Sequence, residues 1–229
     1  MKKMKIAALF MSGLLVLAGC GMNNTAKGGV IGGTSGAAVG ALVGRLVSGK
    51  GDKTKGTLIG AAIGTAVGGG AGVLIGNKMD KAKKAAEAVE NAQVESVTDA
   101  NGLKAVKVTF DSGILFDLNS STLKSAAKSS LAEFSNVLKN NTDMDVAIYG
   151  HTDKTGTLEV NQRISLQRAQ SVQNYLSSLG VSANQMKTVE GLDYQMYDET
   201  KTAAENRRVE VYLFASAAMI EAANNGTLQ

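Results

Sequence analysis

The sequence predicts an α+β chain in which a two-layer α/β domain, a sheet packed by two long helices, follows a helical hairpin lined with glycine. Two observations carry this prediction. From about residue 102 onward, short stretches that alternate apolar and polar residues are separated by two long stretches with helical spacing. In the first third of the chain, glycine recurs at every fourth position, which in a helix places the glycines on one face.

The chain begins with a basic and then apolar stretch that is typical of an export signal. Lys2, Lys3 and Lys5 precede the apolar residues 6–18, which are too few to span a bilayer. The string LAGC, which ends at Cys20, resembles the lipobox of bacterial lipoproteins. The resemblance implies that residues 1–19 are a signal peptide, that Cys20 is acylated, and that 20–27 are a lipidated spacer. An ordinary secretory signal followed by a stray cysteine is the plainer alternative.

Loss of the signal lowers the formal net charge of the chain from +4 to +1. The whole sequence has 24 basic and 20 acidic residues, a formal charge of +4. The signal holds three lysines and no acid, so 21 basic residues face 20 acidic ones in the mature chain. This near balance gives no reason to expect a nucleic-acid partner.

Two series of glycines with a period of four follow the spacer. They are Gly28, Gly32, Gly36, Gly40 and Gly44, and then Gly56, Gly60, Gly64, Gly68, Gly72 and Gly76. Each series makes a smooth helical strip along which another backbone can approach closely. Each interior glycine costs about 1 kcal/mol of helix stability relative to alanine in water, so the pattern favours a packed or lipid environment. Residues 28–77 resemble the glycine-zipper segments of envelope lipoproteins, and we interpret them as a helical hairpin associated with the membrane.

The sequence leaves the arrangement of this hairpin open. It can span the membrane, lie on its surface, or pack with copies of itself in a homo-oligomer. A flexible glycine-rich linker is the plainer alternative.

Two further segments flank the predicted domain. Residues 78–101 are rich in alanine, lysine and glutamate, and we interpret them as a charged helical linker that is exposed to solvent. Residues 217–229 follow the last predicted strand, and we interpret them as a C-terminal tail.

Residues 102–216 have the pattern of one compact domain. Four stretches have the composition of strands: 103–110, 144–150, 185–191 and 207–215. Apolar residues recur at helical spacing over 122–139, with Ser120 or Ser121 as the N-cap, and over 160–179. Strands that alternate with two long helices favour a two-layer arrangement.

Four motifs occur in this domain in a fixed order. They are FDLN at 116–119, GHTDKTG at 150–156, NQRISLQRA at 161–169 and NRRVEV at 206–211. Together they resemble the OmpA-like domain of outer-membrane protein A, peptidoglycan-associated lipoproteins and flagellar stator proteins. With the lipobox and the glycine-rich segment in front, the chain resembles an OmpA-family lipoprotein.

The resemblance implies non-covalent binding of peptidoglycan through the diaminopimelate of its peptide stem. In the family, an aspartate of the HTD loop faces the ammonium of the ligand and an arginine of the following helix faces its carboxylate. These positions fall on Asp153 and Arg168. The supporting asparagines fall on Asn119 and Asn161, and a further arginine falls on Arg207.

The residues themselves fit this chemistry. One carbon of diaminopimelate carries both an ammonium and a carboxylate, and an aspartate opposite an arginine matches that pair. The plainer alternative is a salt bridge between Asp153 and Arg168, which at an exposed site would contribute only ~0–1 kcal/mol. One segment departs from the family: where relatives commonly have a Gly-x-Gly turn and a proline, this chain has GLDYQMYDE at 191–199.

The sequence does not favour an enzyme. His151 and Asp153 could form an acid–base pair, but a single histidine needs a nucleophile or a metal for hydrolysis. One histidine and one cysteine do not make a zinc site, so we expect no metal and no cofactor. We expect His151 to be buried and bonded to the backbone.

The resemblance implies a lipid-anchored protein on the periplasmic side of the outer membrane, with peptidoglycan as its partner. The runner-up function is a membrane-active or pore-forming lipoprotein, in which the glycine-rich hairpin acts and the wall-binding domain only positions it.

Overall fold

The computed structural model describes residues 70–99 and 101–228, where a five-stranded sheet is packed by helices. Cys20, the predicted signal and most of the predicted hairpin lie outside the described residues. The helices are α1 (Gly70–Ala86), α2 (Ser112–Leu115), α3 (Ser125–Lys139), α4 (Leu158–Ser178), α5 (Ala203–Asn206) and α6 (Ala217–Asn224). The strands are β1 (Ala92–Thr98), β2 (Lys104–Asp111), β3 (Met144–Gly150), β4 (Met186–Gly191) and β5 (Arg208–Ala215).

The strand order in the sheet is β1-β2-β5-β3-β4. Only β3 and β4 are parallel, and α4 makes the crossover between them. The central strand β5 is buried along its whole length, which explains its nearly continuous apolar sequence. The predicted fold class, an α+β domain with a sheet packed by two long helices, is confirmed.

The main core lies between one face of the sheet and the helices. Leu131 and Phe134 of α3 and Val172 and Leu176 of α4 are fully buried there. The ring of Phe134 packs edge-on against Phe110 of β2, with ring centroids 5.6 Å apart. Burial of each such side chain contributes about 1.5–3 kcal/mol, so these contacts fix both long helices on the sheet.

The interpretation of residues 78–101 as an exposed helical linker is wrong. The helix of this region, α1, begins at Gly70 and buries a stripe at helical spacing: Ala71, Ile75, Met79, Ala82 and Ala86. The charged residues occupy its other face, which is why composition alone predicted an exposed helix. The linker region continues into β1, which pairs antiparallel with β2 as an edge strand of the sheet.

The interpretation of residues 217–229 as a tail also needs correction. Ser216 caps a helix, α6, by accepting a hydrogen bond from the backbone N–H of Met219. Met219, Ile220 and Ala223 are buried in the main core, where α6 packs against α1. The two ends of the described chain therefore stabilise each other.

The predicted start of the first long helix is displaced. Neither Ser120 nor Ser121 caps α3, whose N-cap residue is Lys124. Residues 116–124 instead form a turn that is closed by a bridge between Phe116 and Leu123. This turn displaces the start of the helix and carries part of the candidate site.

Within residues 70–99 and 101–228, no helix combines the length and the apolar character that crossing a membrane requires. The last two glycines of the second period-four series, Gly72 and Gly76, lie in α1. A methyl group added at Gly76 would meet nothing within 4 Å.

Candidate functional site

The HTD loop begins where three strands meet at one edge of the sheet. Gly150, the last residue of β3, is paired with Gly191 at the end of β4 and with Val209 near the start of β5. The backbone N–H of His151 donates to the carbonyl of Arg208 at 2.9 Å, and that of Thr152 donates to the carbonyl of Asp193 at 2.8 Å. The loop is therefore fixed by the β4 and β5 regions at once.

Two glycines let α4 approach this edge. A Cβ at Gly150 would lie 2.0 Å from the carbonyl oxygen of Ser165, and one at Gly191 would lie 2.4 Å from the backbone nitrogen of Leu166. Both distances are far below van der Waals contact, so each position requires glycine. The close crossing brings Asn161 and Arg168 of α4 beside the HTD loop.

Asp153 is buried at this edge and is already bonded. Its Oδ1 accepts hydrogen bonds from the backbone N–H of Thr155 at 2.8 Å and from the Thr155 hydroxyl. Its Oδ2 pairs with a terminal nitrogen of Arg207. Burial by itself would raise the pKa of Asp153, but the Thr155 hydrogen bonds and the Arg207 charge outweigh it and hold the pKa below its ordinary value. Asp153 is therefore an anion at neutral pH.

Arg168 is also buried, with 5% of its surface exposed. Its Nε donates to the carbonyl of Ser120 at 3.0 Å, and its guanidinium carbon lies 5.2 Å from the centre of the Phe116 ring. Within the described part of the chain, no carboxylate lies within ion-pair distance of it. The turn at 116–120 thus holds the cation through neutral groups alone.

The alternative of a salt bridge between Asp153 and Arg168 is wrong for the described structure, because Asp153 pairs with Arg207 instead. Burial and the nearby charge of Arg207 lower the pKa of Arg168, and the charge of Asp153 opposes them. A guanidinium nevertheless stays charged in proteins. Among the predicted site residues, one anion, Asp153, therefore lies near two cations, Arg168 and Arg207.

The two predicted asparagines have different surroundings. Asn161 is buried, and its Nδ2 donates to the carbonyl of Thr155 at 2.9 Å, which fixes the loop that carries Asp153. Asn119 is exposed, in the turn whose carbonyls hold Arg168, and has a left-handed backbone with φ of 54°. Asparagine adopts this conformation at a lower cost than most residues.

His151 is buried, as predicted, but the expected side-chain bond to the backbone is wrong. Its Nε2 faces the carboxylate of Glu210, 3.3 Å from Oε2. Burial lowers the pKa of His151, although Glu210 acts in the opposite direction. Since the ordinary value is about 6.5, the ring is neutral at neutral pH. A neutral, buried ring is a structural group and not a pH 7 acid.

Glu210 lies at the centre of a buried polar cluster, which we define as His151, Arg208, Glu210 and Tyr212. Its Oε1 accepts from Nε of Arg208 at 2.7 Å, and its Oε2 accepts from the Tyr212 hydroxyl at 2.8 Å. Burial would raise the pKa of Glu210, but His151 and Arg208 together hold it well below its ordinary value. The cluster locks the beginning of β5 to the end of β3.

The segment 191–199, where the sequence departs from the family, is held against the HTD loop. Asp193 has a left-handed backbone with φ of 41°, so the turn keeps a glycine-like conformation although the residue is aspartate. Lys154 pairs with Glu199, and its ammonium lies 4.5 Å from the centre of the Tyr197 ring. These contacts place segment 191–199 beside the loop that carries Asp153.

The structure brings Asp153, Asn161, Arg168 and Arg207 together and places Asn119 on the adjoining turn. Sequence reasoning missed Thr155, which bonds Asp153, and Glu210, which supports His151. The signal for Glu210 was available, because a glutamate between two valines in the strand sequence RRVEVYLFA needs a partner if the strand is buried. Within residues 70–99 and 101–228, no three His, Cys, Asp or Glu side chains cluster closely enough to hold a metal ion.

Comparison with known families gives two matches. Residues 115–210 match the family described as OmpA family, and residues 1–80 match the family described as YMGG-like Gly-zipper. The predictions of an OmpA-like domain and of a glycine zipper are confirmed. Neither family describes an enzyme, in agreement with the sequence-based expectation.

Two curated relatives are between 34% and 38% identical to this chain over the aligned residues. Probable lipoprotein YiaD from Escherichia coli (strain K12) is 38% identical over 104 residues, which is 44% of this chain and 47% of that protein. Peptidoglycan-associated lipoprotein from Brucella suis biovar 1 is 34% identical over 76 residues, or 33% of this chain and 45% of that protein. The matches thus span less than half the length of these relatives.

The fold has a counterpart among solved structures. A MotB like protein from Desulfovibrio vulgaris superposes with a TM-score of 0.51 and 21% identity, covering 69% of this chain and 97% of that one. At this identity the likeness concerns the fold alone.

Proposed function

Because residues 115–210 form an OmpA family domain, we propose that this protein binds peptidoglycan non-covalently and tethers the outer membrane to the cell wall. The recognised group is the diaminopimelate of the peptide stem. Asp153 binds its ammonium and Arg168 binds its carboxylate, while Asn119, Asn161 and Arg207 orient the ligand.

The observation that carries the proposal is the state of Arg168. A buried cation that has only carbonyl oxygens and an aromatic ring as partners is poorly compensated. A ligand carboxylate supplies the missing charge, and a guanidinium can bind it through two parallel hydrogen bonds. A buried anion, Asp153, lies at the same edge of the sheet and suits an ammonium.

Diaminopimelate fits because it carries both groups on one carbon at the end of its side chain. Lysine at the same position in the stem carries the amine without the carboxylate. The geometry of the site therefore supports a preference for stems that contain diaminopimelate. One of the curated relatives is named for its association with peptidoglycan, which supports the same substrate class.

The membrane end of the tether is proposed on the sequence. Acylation of Cys20 would anchor the chain, and two acyl chains are enough for stable membrane binding. The two curated relatives are named as lipoproteins, which supports a lipid anchor, and we propose the periplasmic side of the outer membrane as the location. A Cys20→Ser variant should then incorporate no labelled fatty acid and should not be cleaved before residue 20.

Sedimentation of the full-length protein in detergent with purified sacculi tests the wall-binding half. Wild type should co-sediment with sacculi whose stems contain diaminopimelate and should bind poorly to sacculi whose stems contain lysine. Arg168→Gln should lose binding, because the ligand carboxylate would be desolvated without a partner, at a cost of about 2–5 kcal/mol.

Arg163→Gln is the matched control, since it removes the same charge from the exposed side of the same helix. Full retention of binding by Arg168→Gln, or equal binding to both kinds of sacculi, would contradict the proposal.

A further inference from the structure

The carboxylate of Asp153 already has bonding partners within the protein when no ligand is bound. Thr155 donates two hydrogen bonds to Oδ1, and Arg207 pairs with Oδ2. A carboxylate has about four lone-pair positions, and burial restricts access to the ones that remain. A ligand ammonium that needs the charge of Asp153 therefore has to compete with Arg207.

The two arginines of the site differ in how freely they can move. The Arg207 side chain is 35% exposed, so its guanidinium can turn into water when it leaves Asp153. Arg168 is 5% exposed and is held by the Ser120 carbonyl and the Phe116 ring. One cation can thus be displaced by a ligand, and the other stays in place.

We propose that Arg207 is an internal competitor for the ammonium site at Asp153, and that this competition makes the site selective for ligands that bring a carboxylate together with an amine. This inference rests on the proposed function and assigns to Arg207 a role in the free protein besides contact with the ligand.

The selectivity follows from the exchange of charges. An amine-only ligand replaces one cation at Asp153 by another, so it gains little, and it leaves Arg168 uncompensated. A ligand with both groups makes the same exchange and also neutralises Arg168. Only this ligand also offers the displaced Arg207 a carboxylate to pair with, which offsets the loss of its contact with Asp153. The contact between Asp153 and Arg207 therefore penalises the amine-only ligand more than the zwitterionic one.

Removal of Arg207 should accordingly help the wrong ligand more than the right one. In Arg207→Gln, Asp153 keeps its bonds from Thr155 but presents an unpaired oxygen to an incoming ammonium. A charge-assisted hydrogen bond is worth enough to shift affinity by at least about tenfold. The zwitterionic ligand gains the same contact but loses the attraction of Arg207 for its carboxylate, so its affinity should change less.

Titration calorimetry on the full-length protein in detergent tests this with two tripeptides. They are L-alanyl-γ-D-glutamyl-meso-diaminopimelate and the same peptide ending in L-lysine, which lacks only the second carboxylate. The lysine peptide should bind Arg207→Gln at least about tenfold more tightly than it binds wild type. The affinity of the diaminopimelate peptide should rise by less, so the ratio of the two affinities should fall.

Two control variants accompany the measurement. Arg207→Lys keeps a competing cation and should retain most of the wild-type discrimination, and Arg163→Gln should behave as wild type. Equal weakening of both peptides in Arg207→Gln, or no change in either, would overturn the competition. Failure of wild type to bind the diaminopimelate peptide at all would overturn the proposed function instead.

Discussion

Arg207 and Arg208 are neighbours in the chain, yet each serves a different region of the molecule. Arg207 pairs with Asp153 at the edge of the sheet, and 35% of its side chain is exposed. Arg208 pairs with Glu210 inside the buried polar cluster, where both side chains are less than 10% exposed. Both regions contain arginine and carboxylate side chains. Arg208 of the buried cluster has an anionic partner, whereas Arg168 at the edge of the sheet has none among the described residues.

Burial and the number of partners explain the difference. Glu210 has Arg208, Tyr212 and His151 around its two oxygens, so the cluster has no unmet charge of its own. At the edge of the sheet, Arg168 has no anionic partner among residues 70–99 and 101–228. Loss of one partner from the buried Arg208–Glu210 pair would destabilise the fold, whereas a buried cation without an anion is suited to binding a ligand carboxylate.

The largest expected effect on stability is at Glu210. Glu210→Ala would leave Arg208 buried without its anion, at a cost of about 3–5 kcal/mol in the free energy of unfolding. Asp153→Ala should cost less, because Arg207 is partly exposed and can be solvated when its partner is lost. Urea denaturation of the full-length protein in detergent would measure both variants, and equal losses would break the distinction between the two regions.

A smaller effect is expected from pH. Because burial lowers the pKa of His151 in the folded state, protonation favours the unfolded chain as the pH falls below about 6.5. The stability contributed by the neutral ring is complete above that pH and is lost as the pH falls toward the folded value. The slope from this single group can reach about 1.4 kcal/mol per pH unit.

His151→Gln should flatten this part of the stability curve, since glutamine does not titrate. The charged groups that face His151 are Glu210, Arg208 and Lys107, and the pKa of Glu210 is held well below its ordinary value. Binding at Asp153 should vary little over the same range, because its pKa lies below its ordinary value. A slope that persists in His151→Gln would assign the titration to another group.

The sequence predicted the domain from about residue 102 well and its flanks poorly, for one physical reason. In 102–216, apolar periodicity and polar motifs indicate the same elements, so strands and helices were assigned close to their observed bounds. In α1, four lysines and one aspartate suggest an exposed helix, and three of the five buried residues from Ala71 to Ala86 are alanines, which carry a weak hydrophobic signal. Packing against α6 and the sheet decides the position of α1, and composition does not report it.

The candidate site shows the same division. The sequence motifs identified Asp153, Asn161, Arg168 and Arg207, which the fold brings to one edge of the sheet. The pairing among them could not be predicted, because Arg207 and Asp153 are 54 residues apart and meet only through the pairing of β3 with β5. The sequence shows which charged groups are available. The pairing of the strands determines which of them already have a partner within the protein.

The most direct test of the role of Arg168 compares two proteins, each with two ligands. Calorimetry would compare wild type and Arg168→Gln, as full-length proteins in detergent, with the diaminopimelate tripeptide and its lysine counterpart. If Arg168 binds the second carboxylate, the substitution should weaken the diaminopimelate peptide by about 2–5 kcal/mol and leave the lysine peptide nearly unchanged. Equal losses for both peptides would contradict the assignment of that carboxylate to Arg168.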